Sequence, residues 1–250
     1  MQLVQDHIRF CLVRTTHPGN IGATARAMKT MGLRQLYLVE PARFPDYEVR
    51  ARAAGAADVL DEAVLAGSLV EALEGCELVL GTTARERKIE WPTITPERAA
   101  RLLLEQAAAG RRAAVVYGTE RSGLSNTDVE LCHHLVRIPT AEEYASLNLG
   151  AAAQIIAYEI FKQASASPPP AGDAGRSRAD PGEMRGFYRH LQQTLHDLDF
   201  IKVNHPPVVL MRKLVRLFNR ARPEREELNI LRGILTAIQD NLKPERRGRR

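Results

Sequence analysis

The stretch HPGNIGATARAMKTMG (17–32) lies between two short apolar runs, IRFCLV (8–13) and QLYLV (35–39). Apolar runs of this length are typical of buried strands, and the stretch between them is rich in helix-forming residues. Gly32 stands where a helix C′ glycine is expected. The order strand, helix, strand predicts a parallel pair of strands covered by a helix.

The same alternation continues along the chain to residue 163. Three further runs are strand candidates: ELVLGT (77–82), AAVVYG (113–118) and HLVRIP (134–139). Four further stretches have helical patterns: 51–60, 68–75, 95–109 and 146–163. The stretch 95–109 has Thr95 as its N-cap and Pro96 as its first helical residue. The chain is therefore predicted to be an α/β protein with a mainly parallel sheet covered on both faces.

The composition changes after this region. Residues 164–183 are rich in Ala, Ser, Pro and Gly and are predicted to form a flexible linker. Beyond the linker, apolar residues recur at helical spacing in three stretches, 184–200, 208–221 and 223–242. We expect three parts: a domain over 1–163, a linker over 164–183 and a small helical extension over 184–250.

Charge is distributed unevenly between these parts. Residues 1–162 contain 18 Lys/Arg and 20 Asp/Glu, whereas residues 185–250 contain 15 Lys/Arg and 7 Asp/Glu. The pattern of the second extension helix puts Arg212, Arg216 and Arg220 on one face and Leu210, Leu214 and Leu217 on another. A basic extension favours a polyanionic partner such as nucleic acid.

The remaining composition narrows the class of protein. Three widely spaced cysteines do not suggest a disulfide framework, and the N-terminus lacks signal-peptide features, so we expect a cytoplasmic protein. No apolar run is long enough for a membrane helix. Cys132, His133 and His134 are adjacent, but no second Cys/His pair stands at ligand spacing, so no metal site is predicted.

Four segments follow predicted strands, where parallel sheets place their ligands: residues 17–28, 81–88, 117–125 and 138–150. Glycines in the first loop suggest close approach of the backbone to a ligand. A nicotinamide site is one alternative, because Glu40 ends the second strand at about the usual distance from Gly19. The spacing G-x-x-G at 19–22 does not match the dinucleotide fingerprint.

Four segments of this chain resemble the signature blocks of the SPOUT RNA 2′-O-methyltransferases and occur in the same order and spacing. They are GNIGATARAMKTMG, GTTARERK, YGTERSGL and RIPTAEEYASLNLGAAAQIIAYE. Residues 187–206 and 213–235 resemble the C-terminal extension of the bacterial members that modify cytidine or uridine 32 in the tRNA anticodon loop. The resemblance implies a deep trefoil knot, S-adenosylmethionine as cofactor, tRNA as partner and a homodimer, supported by the apolar helix 146–163.

The resemblance also implies roles for individual residues. The cofactor's adenosine would be held by backbone groups of eight residues: Thr82, Thr83, Ala84, Gly118, Ile138, Ala145, Ser146 and Leu147. Arg26, Ser146 and Asn20 would be catalytic, with Ser146 also a possible helix N-cap. Glu120 and Asn148 match recurrent polar positions. Contacts to RNA would come from Arg26, Arg121, Arg212, Arg216 and Arg220. Thr119 and Ala145 depart from the family pattern, which often has arginine and serine there.

Methyl transfer from a sulfonium requires a positioned ribose and removal of a proton from its 2′-hydroxyl. Family proposals make the arginine matching Arg26 the base, but a guanidinium has a pKa above about 12. We therefore favour a charged Arg26 that binds phosphate and stabilises the developing alkoxide. Alternatives are a related enzyme that modifies ribosomal RNA or another tRNA position, an RNA-binding factor without catalysis, and the nicotinamide enzyme.

Overall fold

The computed structural model describes residues 2–84, 91–141, 143, 146–166, 177–201 and 208–242. Within them the chain forms two compact units, Met1–Gly175 and Arg176–Arg250. Ala145, one of the predicted cofactor-binding residues, lies outside the described residues. None of the helices among the described residues is both long enough and apolar enough to cross a membrane.

The first unit is built on a parallel sheet of seven strands, which confirms the predicted α/β class. The strands lie in the order β3-β2-β1-β6-β4-β7-β5. Their bounds are β1 Ile8–Val13, β2 Gln35–Val39, β3 Val64–Ala66, β4 Cys76–Thr82, β5 Thr93–Ile94, β6 Arg112–Tyr117 and β7 His134–Val136. The two strands absent from the sequence prediction, β3 and β5, are both short edge strands. The trefoil knot implied by the family resemblance stays a prediction.

Among the described residues, eight helices accompany this sheet: α1 Gln2–His7, α2 Pro18–Thr30, α3 Tyr47–Ala53, α4 Ala57–Asp61, α5 Leu69–Ala72, α6 Pro96–Ala108, α7 Asn126–Val129 and α8 Leu149–Ala166. The predicted start of α6 is confirmed, because the Thr95 side chain accepts a hydrogen bond from the backbone N–H of Arg98. Gly32, with a φ of 69°, lies just beyond the end of α2 as predicted.

The main core lies between one face of the sheet and helices α2, α6 and α8. Phe10 and Leu12 of β1 and Tyr117 of β6 are fully or almost fully buried there. Leu149, Ile156 and Ile160 of α8 belong to the same core, so these apolar side chains of the helix expected to support a dimer interface are buried within the monomer. Tyr158, 48% exposed, stays on the surface of this helix.

Gly22 corrects one expectation about the first loop. A Cβ atom at this position would lie 2.2 Å from the carbonyl oxygen of Val49 in α3. The glycine therefore allows close packing of α2 against α3 and does not serve the approach of a ligand.

The second unit contains α9 Pro181–Asp197, α10 Val208–Ala221 and α11 Arg225–Leu242. Its core includes Phe187 of α9 and Leu228 and Leu235 of α11. Tyr188 donates its hydroxyl hydrogen to the side-chain oxygen of Asn219 over 2.6 Å, which joins α9 to α10.

The predicted linker was too wide at both ends. Residues 164–166 belong to α8, and α9 already begins at Pro181, where Asp180 and Glu183 form a reciprocal capping box. The prediction for α10 needs a second correction. Its buried residues are Val215 and Asn219, whereas Leu217 is 47% exposed.

Candidate functional site

A cavity of about 550 Å³ opens at the carboxyl ends of β4, β6 and β7. Its walls come from four segments of the chain: residues 82–84, 117–124, 136–138 and 146–152. This volume is in the range of pockets that hold small molecules and cofactors. The position agrees with the general rule that parallel sheets bind ligands at the carboxyl ends of their strands.

The structure brings most of the predicted cofactor-binding residues together around this cavity. Seven of the eight line it: Thr82, Thr83, Ala84, Gly118, Ile138, Ser146 and Leu147. Arg121, predicted to contact RNA, also lies on its wall and is exposed. The backbone N–H of Thr83 already donates to the Val136 carbonyl in the sheet ladder over 3.0 Å. That N–H is therefore engaged within the protein.

The loop after β6 folds back tightly on itself. Backbone hydrogen bonds run in both directions between Thr119 and Gly123, of 2.9 and 3.3 Å. A Cβ atom on Gly118 would lie 2.1 Å from the backbone carbon of Gly123, so only glycine fits at this point. The hydroxyl of Thr119 bonds that of Ser122 over 2.7 Å. Thr119, which departs from the arginine of the family pattern, therefore has a short side chain that closes the loop.

Glu120 ties this loop to the segment that follows β1. Its carboxylate accepts the backbone N–H groups of Thr16 and His17, each over 3.1 Å, and the Thr16 hydroxyl over 2.8 Å. It also accepts the side-chain N–H of Asn20 over 2.9 Å. Four donors on one carboxylate hold the cavity-lining loop after β6 and the segment after β1 in a fixed relation.

The direction of the hydrogen bonds through Asn20 is fixed by this carboxylate. Because a carboxylate only accepts, Asn20 must present its Nδ2 to Glu120, and its Oδ1 then faces Asn148. Asn148 donates Nδ2 to that oxygen over 2.8 Å, and its own Oδ1 accepts the backbone N–H of Gly150 at the start of α8. One chain of bonds thus joins the loops after β1 and β6 to α8.

The environment of Glu120 lowers the pKa of its carboxyl group strongly. Partial burial would raise the pKa, but hydrogen bonds from Asn20 and from backbone N–H groups, including those of Thr16 and His17, outweigh this and lower the pKa to about 2. The group is a carboxylate at neutral pH and a very weak base. It is therefore suited to holding the loops and poorly suited to proton abstraction.

An ion pair between Arg14 and Asp128 also joins the end of β1 to the segment after β6, and the sequence did not predict it. Arg14, at the end of β1, donates to the carboxylate of Asp128 over 2.5 Å, and the side chain of Asp128 is only 7% exposed. Asp128 also accepts from the backbone N–H and hydroxyl of Ser125 in the capping box of α7. No local pattern could reveal this pair, because its partners are 114 residues apart in sequence.

The predicted catalytic residues occupy different places. Asn20 is 8% exposed and bonded on both sides of its amide. Ser146 is exposed on the cavity wall, and α8 begins at Leu149 with Asn148 as its cap, so the expected N-cap role of Ser146 is wrong. Arg26 is exposed on α2 and is not among the residues that line the cavity.

The run of three consecutive residues Cys132, His133 and His134 contains a histidine with a structural role. The Nδ1 atom of His133 accepts the backbone N–H of Val79 over 2.9 Å, and the side chain is buried. Among the residues that the structure describes, no group of three or more His, Cys, Asp or Glu side chains could hold a metal ion.

Both parts of the chain match known protein families. Residues 7–158, which include the sheet and the cavity, match the model of the SpoU rRNA methylase family. This chain belongs to the SpoU methylase family. Residues 182–247 match a second model, described as the C-terminal domain of the tRNA methyltransferase TrmJ. The family predicted from the signature blocks is thereby confirmed.

Two curated relatives cover nearly the whole chain. A tRNA (cytidine/uridine-2′-O-)-methyltransferase TrmJ of Pectobacterium atrosepticum is 49% identical and covers 94% of this chain and 97% of its own length. The protein of the same name from Sodalis glossinidius is 46% identical over 96% of this chain and 94% of its own.

Solved structures of SpoU family members share the fold. The crystal structure of TrmJ from Z. mobilis ZM4 has a TM-score of 0.80 and 29% identity over 93% of this chain and 99% of its own. The SpoU methyltransferase AviRb from Streptomyces viridochromogenes, in complex with AdoMet, has a TM-score of 0.51 and 25% identity over 65% of this chain and 62% of its own.

Proposed function

We propose that this chain transfers a methyl group from S-adenosylmethionine to the 2′-hydroxyl of cytidine or uridine 32 in the anticodon loop of tRNA. The observation that carries the proposal is the cavity at the carboxyl ends of β4, β6 and β7, which has the size of a cofactor site in a chain of the SpoU family. The names of the relatives supply the RNA class and the reaction.

The cavity suits the adenosine part of such a cofactor. Leu124, Ile138 and Leu147 give apolar surfaces for a flat base, and the backbone of the surrounding loops offers donors and acceptors at fixed positions. Gly118 lets the wall fold closely enough to shape this space. When bound, S-adenosylmethionine supplies a methyl group activated on a sulfonium.

The residues of the chain then perform positioning and charge stabilisation. We assign Arg26 to the RNA phosphate and to the alkoxide that develops on the 2′-oxygen. It is exposed, and no described side chain forms an ion pair with it, so its charge is available. Arg121 on the cavity wall is assigned a second phosphate contact.

Ser146 and Asn20 differ in their proposed roles. Ser146 presents its hydroxyl at the cavity wall and is assigned to orient the ribose or the Arg26 guanidinium. Asn20 is bonded to Glu120 and Asn148, so we assign it to positioning the loops. The 2′-hydroxyl proton leaves late in this scheme, after the methyl–oxygen bond has largely formed.

The proposal includes the setting of the reaction. The first unit is the methyltransferase domain, near residues 1–163, and the basic extension over 184–250 binds tRNA, with Arg212, Arg216 and Arg220 among its contacts. The enzyme acts as a homodimer in the cytoplasm. Tyr158, exposed on α8, is a candidate contact between subunits.

The reaction can be tested on transcribed tRNA with isotopically labelled S-adenosylmethionine. A 2′-O-methyl group blocks alkaline cleavage of the next phosphodiester bond, so the modified nucleotide can be mapped as a missing band. We expect the block at position 32 and no methylation of a tRNA with 2′-deoxyribose there. Methylation of another tRNA position, or of ribosomal RNA alone, would contradict the proposed substrate. Failure to bind S-adenosylhomocysteine would contradict the proposed cofactor.

A further inference from the structure

The exposed side of α9 carries positive charge that no carboxylate among the described residues neutralises. Arg185 and Arg189 are exposed and one helical turn apart, about 6 Å along the axis. Gln192 and His196 continue the same exposed side toward the end of the helix. We name these four residues the α9 face.

The acidic residues of α9 lie elsewhere and are engaged. Glu183 accepts the side chain of Arg225 over 3.0 Å and the backbone N–H of Asp180 over 2.8 Å. Asp197 accepts the amide groups of Gln193 and Gln239 over 2.8 and 2.7 Å. No described carboxylate is bonded to Arg185 or Arg189, so their charge is directed to the solvent.

The arginines of α10 differ from those of the α9 face in exposure and in their interactions. Arg212 and Arg216, singled out from the sequence, are half-buried and interact within the protein, whereas Arg220 is exposed. Tyr188 of α9 contacts Val215 and Asn219 of α10. Arg189 follows Tyr188 directly, and Arg220 follows Asn219 directly, so both cations lie beside the same helix contact.

An exposed aromatic ring lies just beyond the helix. Phe200, three residues after the end of α9, is 66% exposed although Ile201 beside it is buried. Leu198 in the same turn is 43% exposed. Phe200 follows the last residue of the α9 face, His196, by four residues. Proteins bind unpaired bases of RNA by combining exposed aromatic rings with cations that contact the phosphates.

We propose that the α9 face and Phe200 form an RNA-binding surface. Arg185 and Arg189 contact neighbouring phosphates, and the ring of Phe200 stacks on an unpaired base of the tRNA. This inference rests on the proposed function, because it takes tRNA as the polyanion. It places a contact to a single-stranded part of the substrate on a helix that the sequence did not distinguish from its neighbours.

Binding of unmodified tRNA to the full-length chain, measured by fluorescence anisotropy from low to high salt, tests this surface. The double variant Arg185→Gln and Arg189→Gln is expected to bind about tenfold more weakly at low salt. Its slope of log affinity against log salt should fall by about 1.4 to 1.8, since each phosphate contact contributes about 0.7 to 0.9.

Phe200→Ala is expected to weaken binding roughly 5- to 150-fold without change in the salt slope, since stacking on one base contributes on this scale. Phe200→Trp should retain binding. Two variants serve as matched controls: Arg225→Gln removes a cation already paired with Glu183, and Leu198→Ala removes an exposed side chain that cannot stack.

A double arginine variant with the parental salt slope would overturn the phosphate contacts, and a Phe200→Ala variant with parental affinity would overturn the stacking. In both cases the parent's titration with S-adenosylhomocysteine and its methylation of tRNA are measured in parallel. If these succeed while the variants bind normally, the proposed function stands and only this surface is wrong. If the parent fails them, the proposed function itself fails.

Discussion

The two units of this chain use their polar side chains in opposite ways. Around the cavity of the first unit, polar groups are bonded to each other: Glu120 accepts four donors, and Arg14 is bonded to Asp128. On the α9 face of the second unit, the exposed cations are bonded to no acidic side chain that the structure describes. A bonded, rigid wall favours selective binding of a small molecule, whereas free cations favour attraction of a large polyanion.

Replacing Arg26 should produce the largest effect, because it removes the exposed cation that we assign to the RNA phosphate and to the developing alkoxide. We expect Arg26→Ala to lower methyl transfer by roughly 100- to 1000-fold, the usual loss for one stabilising group at a developing oxyanion. Affinity for S-adenosylhomocysteine should be nearly unchanged. Arg26→Lys keeps the charge and should retain partial activity if the role is electrostatic. A large loss of cofactor affinity in Arg26→Ala would contradict the assignment to the RNA side.

Gly118→Ala tests whether the rigid wall defines the cofactor site. The new methyl group would meet the backbone of Gly123 and Leu124, and the loop must shift. We expect a tenfold or greater loss of S-adenosylhomocysteine affinity and a destabilisation of about 1–3 kcal/mol, as for other overpacked sites. Gly67→Ala is the control, since its Cβ would make an ordinary contact at 3.4 Å. Unchanged affinity in Gly118→Ala, measured by calorimetry, would show that the loop is not a tight wall.

The triple variant Arg212→Gln, Arg216→Gln and Arg220→Gln tests how much the arginines of α10 contribute to tRNA binding. Three free cations would lower the salt slope of tRNA binding by about 2.7. Because Arg212 and Arg216 interact within the protein, we expect a smaller fall, about 1, and an affinity loss of up to tenfold. A fall near 2.7 would mean that these side chains exchange their internal partners for phosphate. No fall at all would remove α10 from the RNA surface.

Glu120→Gln should show the smallest effect, and mainly as a function of pH. The folded pKa of Glu120, about 2, lies below the value near 4.5 of an unperturbed glutamate. The carboxylate therefore stabilises the fold above about pH 4.5, and this contribution is lost as the pH falls toward 2. The variant should lose less stability than the parent between pH 6 and pH 3 in thermal unfolding. Glu62→Gln, at an exposed position, should behave like the parent, and equal acid sensitivity of all three proteins would refute this account.

Local patterns predicted most of the sheet, because buried parallel strands are continuous apolar runs. They missed β3 and β5, which have three and two residues and are partly exposed edge strands. The cofactor-binding candidates came from the family resemblance and not from local patterns, and the structure places seven of them at one cavity. The pair of Arg14 and Asp128 could not be predicted, since it depends on contacts across more than 100 residues.

Charge shows the same limit in the second unit. Counting residues predicted a basic extension, and helical spacing selected the arginines of α10. Neither could tell a cation with an internal partner from a free one. Helical spacing therefore selects Arg212 and Arg216 and not Arg185 and Arg189. The burial and pairing of these side chains depend on how the three helices pack.

We propose above all that the rigid cavity of the first unit binds S-adenosylmethionine, and one calorimetric titration tests this assignment most directly. S-adenosylhomocysteine is titrated into the purified full-length chain without added metal, with NAD titrated under the same conditions. We predict saturable one-site binding of S-adenosylhomocysteine, a higher melting temperature in its presence and no response to NAD. Binding of NAD without binding of S-adenosylhomocysteine would contradict the account.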